Sequence, residues 1–301
     1  MSETSASAPL SLWADGPAKQ RILDAIAAMT DASSASYVEP RRRIATFDND
    51  GTLWCEKPMY AQFMFLLYRW KAMAAAEPSL LEVQPYKAAV ENDFVWFSDL
   101  YAHLPDLLKG VGDAFAGITP DEFDVEVEAF FAAARHPTYG VPLHHLTYLP
   151  MLELLALLRE SGFKVLITTG GGRDFVRVVS EEIYDMPREA IIGSSPVIEY
   201  KDGRLIRGNT LGSTIDDGPG KPVHIFERTG FTPAFAGGNA DGDIQMLESA
   251  QFALLVHHDD EQREFAYDTD AENALALAEK NDWLVVSMKN DFVKVFGEAR
   301  T

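Results

Sequence analysis

Beyond Gly162 the chain alternates between short apolar runs and helical stretches, and that alternation limits the folds open to it. Phe163–Thr168, Ala234–Ala236, Phe252–Val256 and Trp283–Ser287 read as strands. Helices are expected over Asp174–Glu182, Pro222–Thr229, Asp243–Ala250 and Ala271–Lys280. A strand that is apolar at every position must be covered on both faces, and helices between successive strands supply both covers. Arg43–Asp48 reads as one more such strand, behind a helix expected over Pro17–Met29 with Ile22, Leu23, Ile26 and Met29 on one face. Ile191–Tyr200 and Arg204–Arg207 read as extended segments joined by Lys201-Asp-Gly203, a hairpin signal. The expectation is an α/β fold with a parallel sheet flanked by helices.

One stretch breaks the alternation. From Pro58 to about Arg159 the pattern is helical and rich in aromatic residues, punctuated near Pro78, Pro105, Gly117 and Pro137. A helix over Leu149–Glu160, stopped by Gly162, closes it. We therefore expect a core built from residues 1–57 and 146–301, with residues 58–145 inserted above the sheet as a smaller helical cap domain.

The formal charge is −20 and the isoelectric point about 4.7, which argues against nucleic acid and anionic membranes as partners. A phosphorylated ligand would meet the same repulsion, so any phosphate site must be made positive locally, by a cation or by backbone N–H groups. Cys55 is the only cysteine, which rules out a disulfide within the chain and fits a reducing compartment. The N-terminal stretch is polar and carries no secretory pattern, and no apolar run is long enough to span a membrane, so a cytoplasmic location is expected.

In an open α/β sheet the ligand site lies beyond the carboxyl ends of the strands. Four such ends carry chemistry. The first delivers Asp48-Asn-Asp50-Gly-Thr52, two carboxylates one residue apart, able to divide attack and proton transfer between them. Close carboxylates repel, and a divalent cation is the natural means of keeping both ionised. The second reads Thr168-Thr169-Gly170-Gly-Gly172-Arg173, a hydroxyl and glycines ahead of a helix, a pattern that offers donors to phosphate. The third places Lys221 at the opening of a helix, and the fourth reads Gly237-Gly-Asn239-Ala-Asp241-Gly-Asp243, oxygen donors suited to a hard cation such as Mg²⁺. Each segment alone would also serve as a capped or glycine-rich turn.

Taken in order, the four resemble the haloacid dehalogenase (HAD) superfamily, and within it the phosphoserine-phosphatase-like branch. That branch has a DxDGT first motif, a Ser/Thr-Gly-Gly second motif, a helix-borne lysine and a final acidic motif. The resemblance covers roughly Arg43 to Val256 and implies a Rossmannoid core with a C1-type cap. It implies a Mg²⁺-dependent phosphatase that hydrolyses a small phosphorylated metabolite through an aspartyl-phosphate. On that basis Asp48 is the expected nucleophile and Asp50 the acid, then base. Thr169 is the expected phosphate-binding hydroxyl, with Thr168 as its alternative, and Gly170 lies beside it. Lys221 is expected to neutralise the phosphoryl group and the nucleophile. The metal ligands implied are Asp48, Asp50, Asn239 and Asp243.

The sequence departs from the family at Gly238-Asn239, where Gly-Asp is usual. Either Asn239 is a neutral ligand or Asp241 or Asp243 takes its place. Glu56, Arg173, Trp54 and Phe63 neighbour the motifs and are expected to line the substrate pocket, whereas Phe65, Tyr68 and Trp70 are read as cap packing. Cys55 is read as a packed thiol, and the pairs His144-His145 and His257-His258 as unsuited to one shared metal. The rival readings are phosphoryl transfer to another acceptor, phosphonate cleavage, dehalogenation, and a catalytically silent module that keeps the fold.

Overall fold

Ile44–Phe47 forms β1 with all four residues buried, and the rest of the sheet is laid out around it. A computed structural model describes residues 9–99 and 102–297 of the chain. Residues 1–8, part of the polar N-terminal stretch, lie outside them. Strands β1, β2 (Lys164–Gly172), β3 (Ile191–Ser194), β6 (Phe235–Gly238), β7 (Phe252–His257) and β8 (Leu284–Ser287) make one parallel sheet in the order β3-β2-β1-β6-β7-β8. The order turns back between β1 and β6, and such a reversal opens a crevice at the carboxyl ends of those strands. Phe47 lies opposite Ile167 on one side and Gly237 on the other, so β1, β2 and β6 end together.

Helices α1 (Pro17–Thr30), α7 (Leu149–Glu160), α8 (Arg173–Tyr184), α9 (Gly220–Thr229), α10 (Ile244–Ser249), α11 (Glu272–Lys280) and α12 (Met288–Asp291) surround the sheet. Their buried faces follow the expected period: Ile22, Ile26 and Met29 on α1, and Met151, Leu154, Leu155 and Leu158 on α7. β2 runs to Gly172, four residues past the expected end at Thr168, because its pairing with β3 resumes after an irregularity as Gly172 opposite Ser194.

Between β1 and α7, among the described residues, come the helices α2 (Ala61–Ala76), α3 (Tyr86–Glu91), α4 (Phe94–Ser98), α5 (Leu104–Ala114) and α6 (Pro120–Ala133). Their interior is aromatic: Phe65 stacks on Phe115 and on Phe175 of α8, and Trp70 stacks on Phe97. The expected hairpin is present as β4 (Pro196–Lys201) and β5 (Arg204–Leu211), with both turn residues, Asp202 and Gly203, at positive φ. It packs on the inserted helices rather than joining the main sheet. Gly117 N donates to Arg207 O at 2.8 Å and Arg207 N to Ile118 O at 2.9 Å.

Among the described residues no helix is long and apolar enough to cross a membrane. Leu254 is fully buried in β7. Leu254→Ala should cost about 2–5 kcal/mol, read as a lower urea midpoint at unchanged slope.

Candidate active site

The loop after β1 is held from below and behind. Asp48 N donates to Gly237 O at 2.9 Å, which ties it to the end of β6. Gly51 sits at φ 76°, in the left-handed region, and a Cβ there would run into the Asn239 amide. Thr52 Oγ1 donates to Asn239 Oδ1 at 3.0 Å, joining the first and fourth strand ends. His258 Nε2 donates to the Gly51 carbonyl at 2.8 Å, and its Nδ1 lies 3.2 Å from Glu264 Oε2. His257 turns instead to Asp268, so the adjacent histidines serve separate partners. Buried Glu264 also accepts from Tyr148 Oη at 3.0 Å and Cys55 Sγ at 3.2 Å. Burial and the nearby Glu264 raise the Cys55 thiol far above its ordinary range, which makes it a packed, unreactive group.

Above this loop Lys221, in the first turn of α9, reaches back to the sheet and is only 2% exposed. Its Nζ lies 2.5 Å from Asp48 Oδ1, 2.6 Å from Asp243 Oδ1 and 3.1 Å from the Thr168 carbonyl. Burial works against the ammonium, but Asp243 and Asp48 outweigh it and hold the lysine charged, above its usual pKa. Burial also raises Asp48 well above the carboxylate range, with Lys221 pulling it down and Asp243 and Asp50 pushing it up. Asp50 is raised to about 6, chiefly by burial, while the Trp54 indole N–H donates to its Oδ1 at 2.7 Å and opposes the shift.

Asp48, Asp50, Lys221, Asn239 and Asp243 line one cavity of about 390 Å³, together with Glu56, Phe63 and Gly170. The ends of β1, β2 and β6 and the start of α9, far apart in sequence, therefore meet at one place; Lys221 comes from a helix start rather than from the strand end expected for it. Thr169 is buried and does not itself line that cavity, although Gly170 and Gly171 do; its Oγ1 accepts from Gly171 N at 3.1 Å. Thr168 Oγ1 is instead 2.6 Å from Thr46 Oγ1 inside the sheet, which leaves Thr169 as the hydroxyl on the loop side. Trp54 sits behind Asp50 rather than in the lining.

Arg173 is elsewhere. Its Nε pairs with Asp174 at 3.0 Å, and it lines a separate surface cleft beside Ile192 and Gly193. The helix start turns that side chain away from the glycine loop. Sequence reasoning did not single out Gln62 or Asp217, both of which line the cavity. Gln62 Oε1 accepts from Gly172 N at 2.5 Å, pinning the inserted helix α2 to the glycine loop. A polar residue opening the first cap helix carries no local signal of that role.

The oxygen donors suit a hard dication: Asp48, Asp50 and Asn239 share the cavity, and all offer oxygen. Asp243 has both carboxylate oxygens engaged, Oδ1 by Lys221 and Oδ2 by the amides of Asn239 and Ala240 at 2.9 and 3.1 Å. Asp241 faces α11, where its carboxylate takes Ala274 N at 2.8 Å. Among the described residues no three His, Cys, Asp or Glu side chains form a metal cluster, and Asn239 is a further oxygen donor in the same cavity.

Behind the lysine, fully buried Asp216 accepts from His224 Nδ1 at 2.8 Å, and burial raises its pKa to about 6. A carboxyl raised in the fold stabilises most below its unfolded pKa, and that contribution is lost as pH rises through about 6. Asp216→Asn should therefore gain in Tm relative to the parent between pH 4 and pH 7, as scanning calorimetry would read. Removing the cation between two buried carboxylates should be severe: Lys221→Met is expected to cost about 3–5 kcal/mol in urea unfolding. Adding Asp243→Asn should recover part of that loss.

No curated protein matches the chain in sequence. Among solved structures, a functionally unknown protein from Anaerococcus prevotii is similar at 15% identity and a TM-score of 0.58, over 93% of this chain and 96% of that one. A protein of unknown function from Bordetella pertussis follows at 14% identity and 0.55, over 81% and 98%. Both likenesses are of fold. The family model for haloacid dehalogenase-like hydrolases matches residues 45–248, a span that holds Asp48, Asp50, Thr169, Lys221, Asn239 and Asp243 and more than half of the 301 residues, and the chain belongs to that family.

Proposed function

We propose that the protein is a Mg²⁺-dependent phosphatase that hydrolyses a small phosphomonoester through an aspartyl-phosphate on Asp48. The observation that carries this is the buried Lys221, held between Asp48 and Asp243 in the cavity that also contains Asp50. A fixed ammonium beside a carboxylate supplies the positive charge that a phosphoryl group needs within so acidic a protein.

In this reading Asp48 attacks phosphorus, and the ester oxygen leaves with a proton from Asp50. Water then attacks the aspartyl-phosphate, with Asp50 taking its proton. A pKa of about 6 suits both duties, since each form of Asp50 is accessible near neutral pH. The Trp54 indole holds Asp50 in one orientation between the two steps. Lys221, Thr169 and the amides of the glycine loop stabilise the equatorial oxygens. Asp48, Asp50 and Asn239 would hold the cation, and Asp243 would fix Lys221 instead of ligating. When bound there, the cation would supply further positive charge to the phosphoryl oxygens and would favour the ionised form of Asp48. The acidic surface fits a reading with neither nucleic acid nor membrane as partner, and the single cysteine fits a cytoplasmic enzyme.

The test is p-nitrophenyl phosphate hydrolysis with Mg²⁺ and with EDTA, for the parent and Asp48→Asn. Activity should need the metal and fall by at least about 10³-fold in the variant, the scale of losing a covalent nucleophile. A variant that stays active would remove Asp48 from its role. Failure of the parent on a broad ester panel, despite native folding, would favour a silent module.

A further inference from the structure

The catalytic cavity does not end at Phe63 and Asp217. It continues past Gln62, Leu66, Gly170, Gly171 and Ile215, which line it and also line a second space of about 500 Å³. That space lies under the inserted helices α2, α5 and α6 and the β4–β5 hairpin, and its volume is in the range of small-molecule sites. Its wall is mostly apolar, with Leu66, Leu108, Val111, Phe115, Leu211 and Ile215 among the residues that form it.

Two features set this wall apart from the core. Leu108, Val111, Leu211 and Ile215 are between 42% and 53% exposed, although all four are large and apolar and lie around one opening. Clustered exposed apolar side chains cost solubility and mark binding surfaces. The charged residues in the wall, Arg207 and Asp174, are paired at 2.6 Å, and the Arg207 guanidinium lies over the Phe123 ring. The two charges thus compensate one another, with only the buried Arg207 Nε left without a hydrogen-bond partner.

We infer that the substrate is the phosphate ester of an apolar alcohol, its phosphoryl group at Asp48 and its hydrocarbon portion in the chamber beneath the inserted helices. This rests on the phosphatase reading above. The chamber adjoins the cavity where the ester oxygen departs, so the alcohol lies in a space that removes its carbon atoms from water. An alcohol carrying further negative charge gains nothing there and is repelled by a protein of formal charge −20.

The experiment is a series of methyl, butyl and octyl phosphate, below micelle-forming concentration, with phosphoserine as the polar comparison. The expected result is a kcat/KM that rises roughly two- to four-fold per methylene until the chamber is full, following the transfer of each CH₂ from water. Phosphoserine should rank with the methyl ester. Leu108→Ser combined with Val111→Ser should bring the octyl-to-methyl ratio toward one. Both esters are measured on the same preparation, so any loss of folded protein cancels from that ratio. Turnover of every ester at similar kcat/KM would overturn the inference and leave the phosphatase reading standing. Absence of turnover on all esters and on p-nitrophenyl phosphate would remove that reading itself. Preference for a carboxylate-ended tail over a methyl-ended one of equal length would also overturn it, in favour of an anion at Arg207, whose buried Nε has no partner.

Discussion

Lys221 holds together a site that electrostatics alone would drive apart. Asp48 and Asp243 are buried, their carboxylates face the same ammonium, and Asp50 stands close by in the same cavity. Without the lysine, two buried carboxylates would face one another in a medium that screens them poorly, and one would have to take up a proton. With it, three strand ends are tied to one nitrogen: β1 through Asp48, β2 through the Thr168 carbonyl, and the segment after β6 through Asp243. The same contacts fix the position of the positive charge before any ligand arrives, which is the preorganisation that phosphoryl transfer exploits.

Support for this centre extends outward in shells of hydrogen bonds. Asn239 occupies the position where an acid is usual and is itself held by the Thr52 hydroxyl, so the substitution is accommodated within the first loop. Asp216 and His224 anchor the approach to α9, and through it the start of the helix that carries Lys221. Glu264, buried with Tyr148, Cys55 and His258 around it, steadies the far side of the loop after β1. Gln62 adds a link from the inserted helices to the glycine loop. The inserted layer is thus coupled to the glycine loop, and its apolar underside is continuous with the cavity that holds Asp48.

Much of this was legible in the residues. The continuous apolar runs at Arg43–Asp48 and Phe252–Val256 announce strands covered on both faces, and β1 and β7 are buried along nearly their whole lengths. Lys201-Asp-Gly203 announces its hairpin because few residues tolerate positive φ. Asp48, Asp50, Thr169 and Lys221 were each visible as a residue following a strand or opening a helix, and a parallel sheet puts such positions on one edge. Arg173 was misplaced for the complementary reason. Adjacency in sequence to the glycine loop suggested proximity to substrate, whereas the first turn of α8 rotates the side chain toward Asp174.

The sequence by itself determined the α/β alternation, the inserted helical segment and which side chains stand at strand ends and helix starts, because local periodicity and strand-end chemistry are short-range properties. Tertiary structure decided that Asp243 holds Lys221 with one oxygen and two backbone amides with the other, that Gln62 reaches the glycine loop, and that β4–β5 roofs an apolar chamber. Those facts depend on side-chain directions and, for Gln62 with Gly172, on contact between segments more than a hundred residues apart. No local pattern encodes them, since the same residues would be equally at home in a solvated turn or on a helix surface.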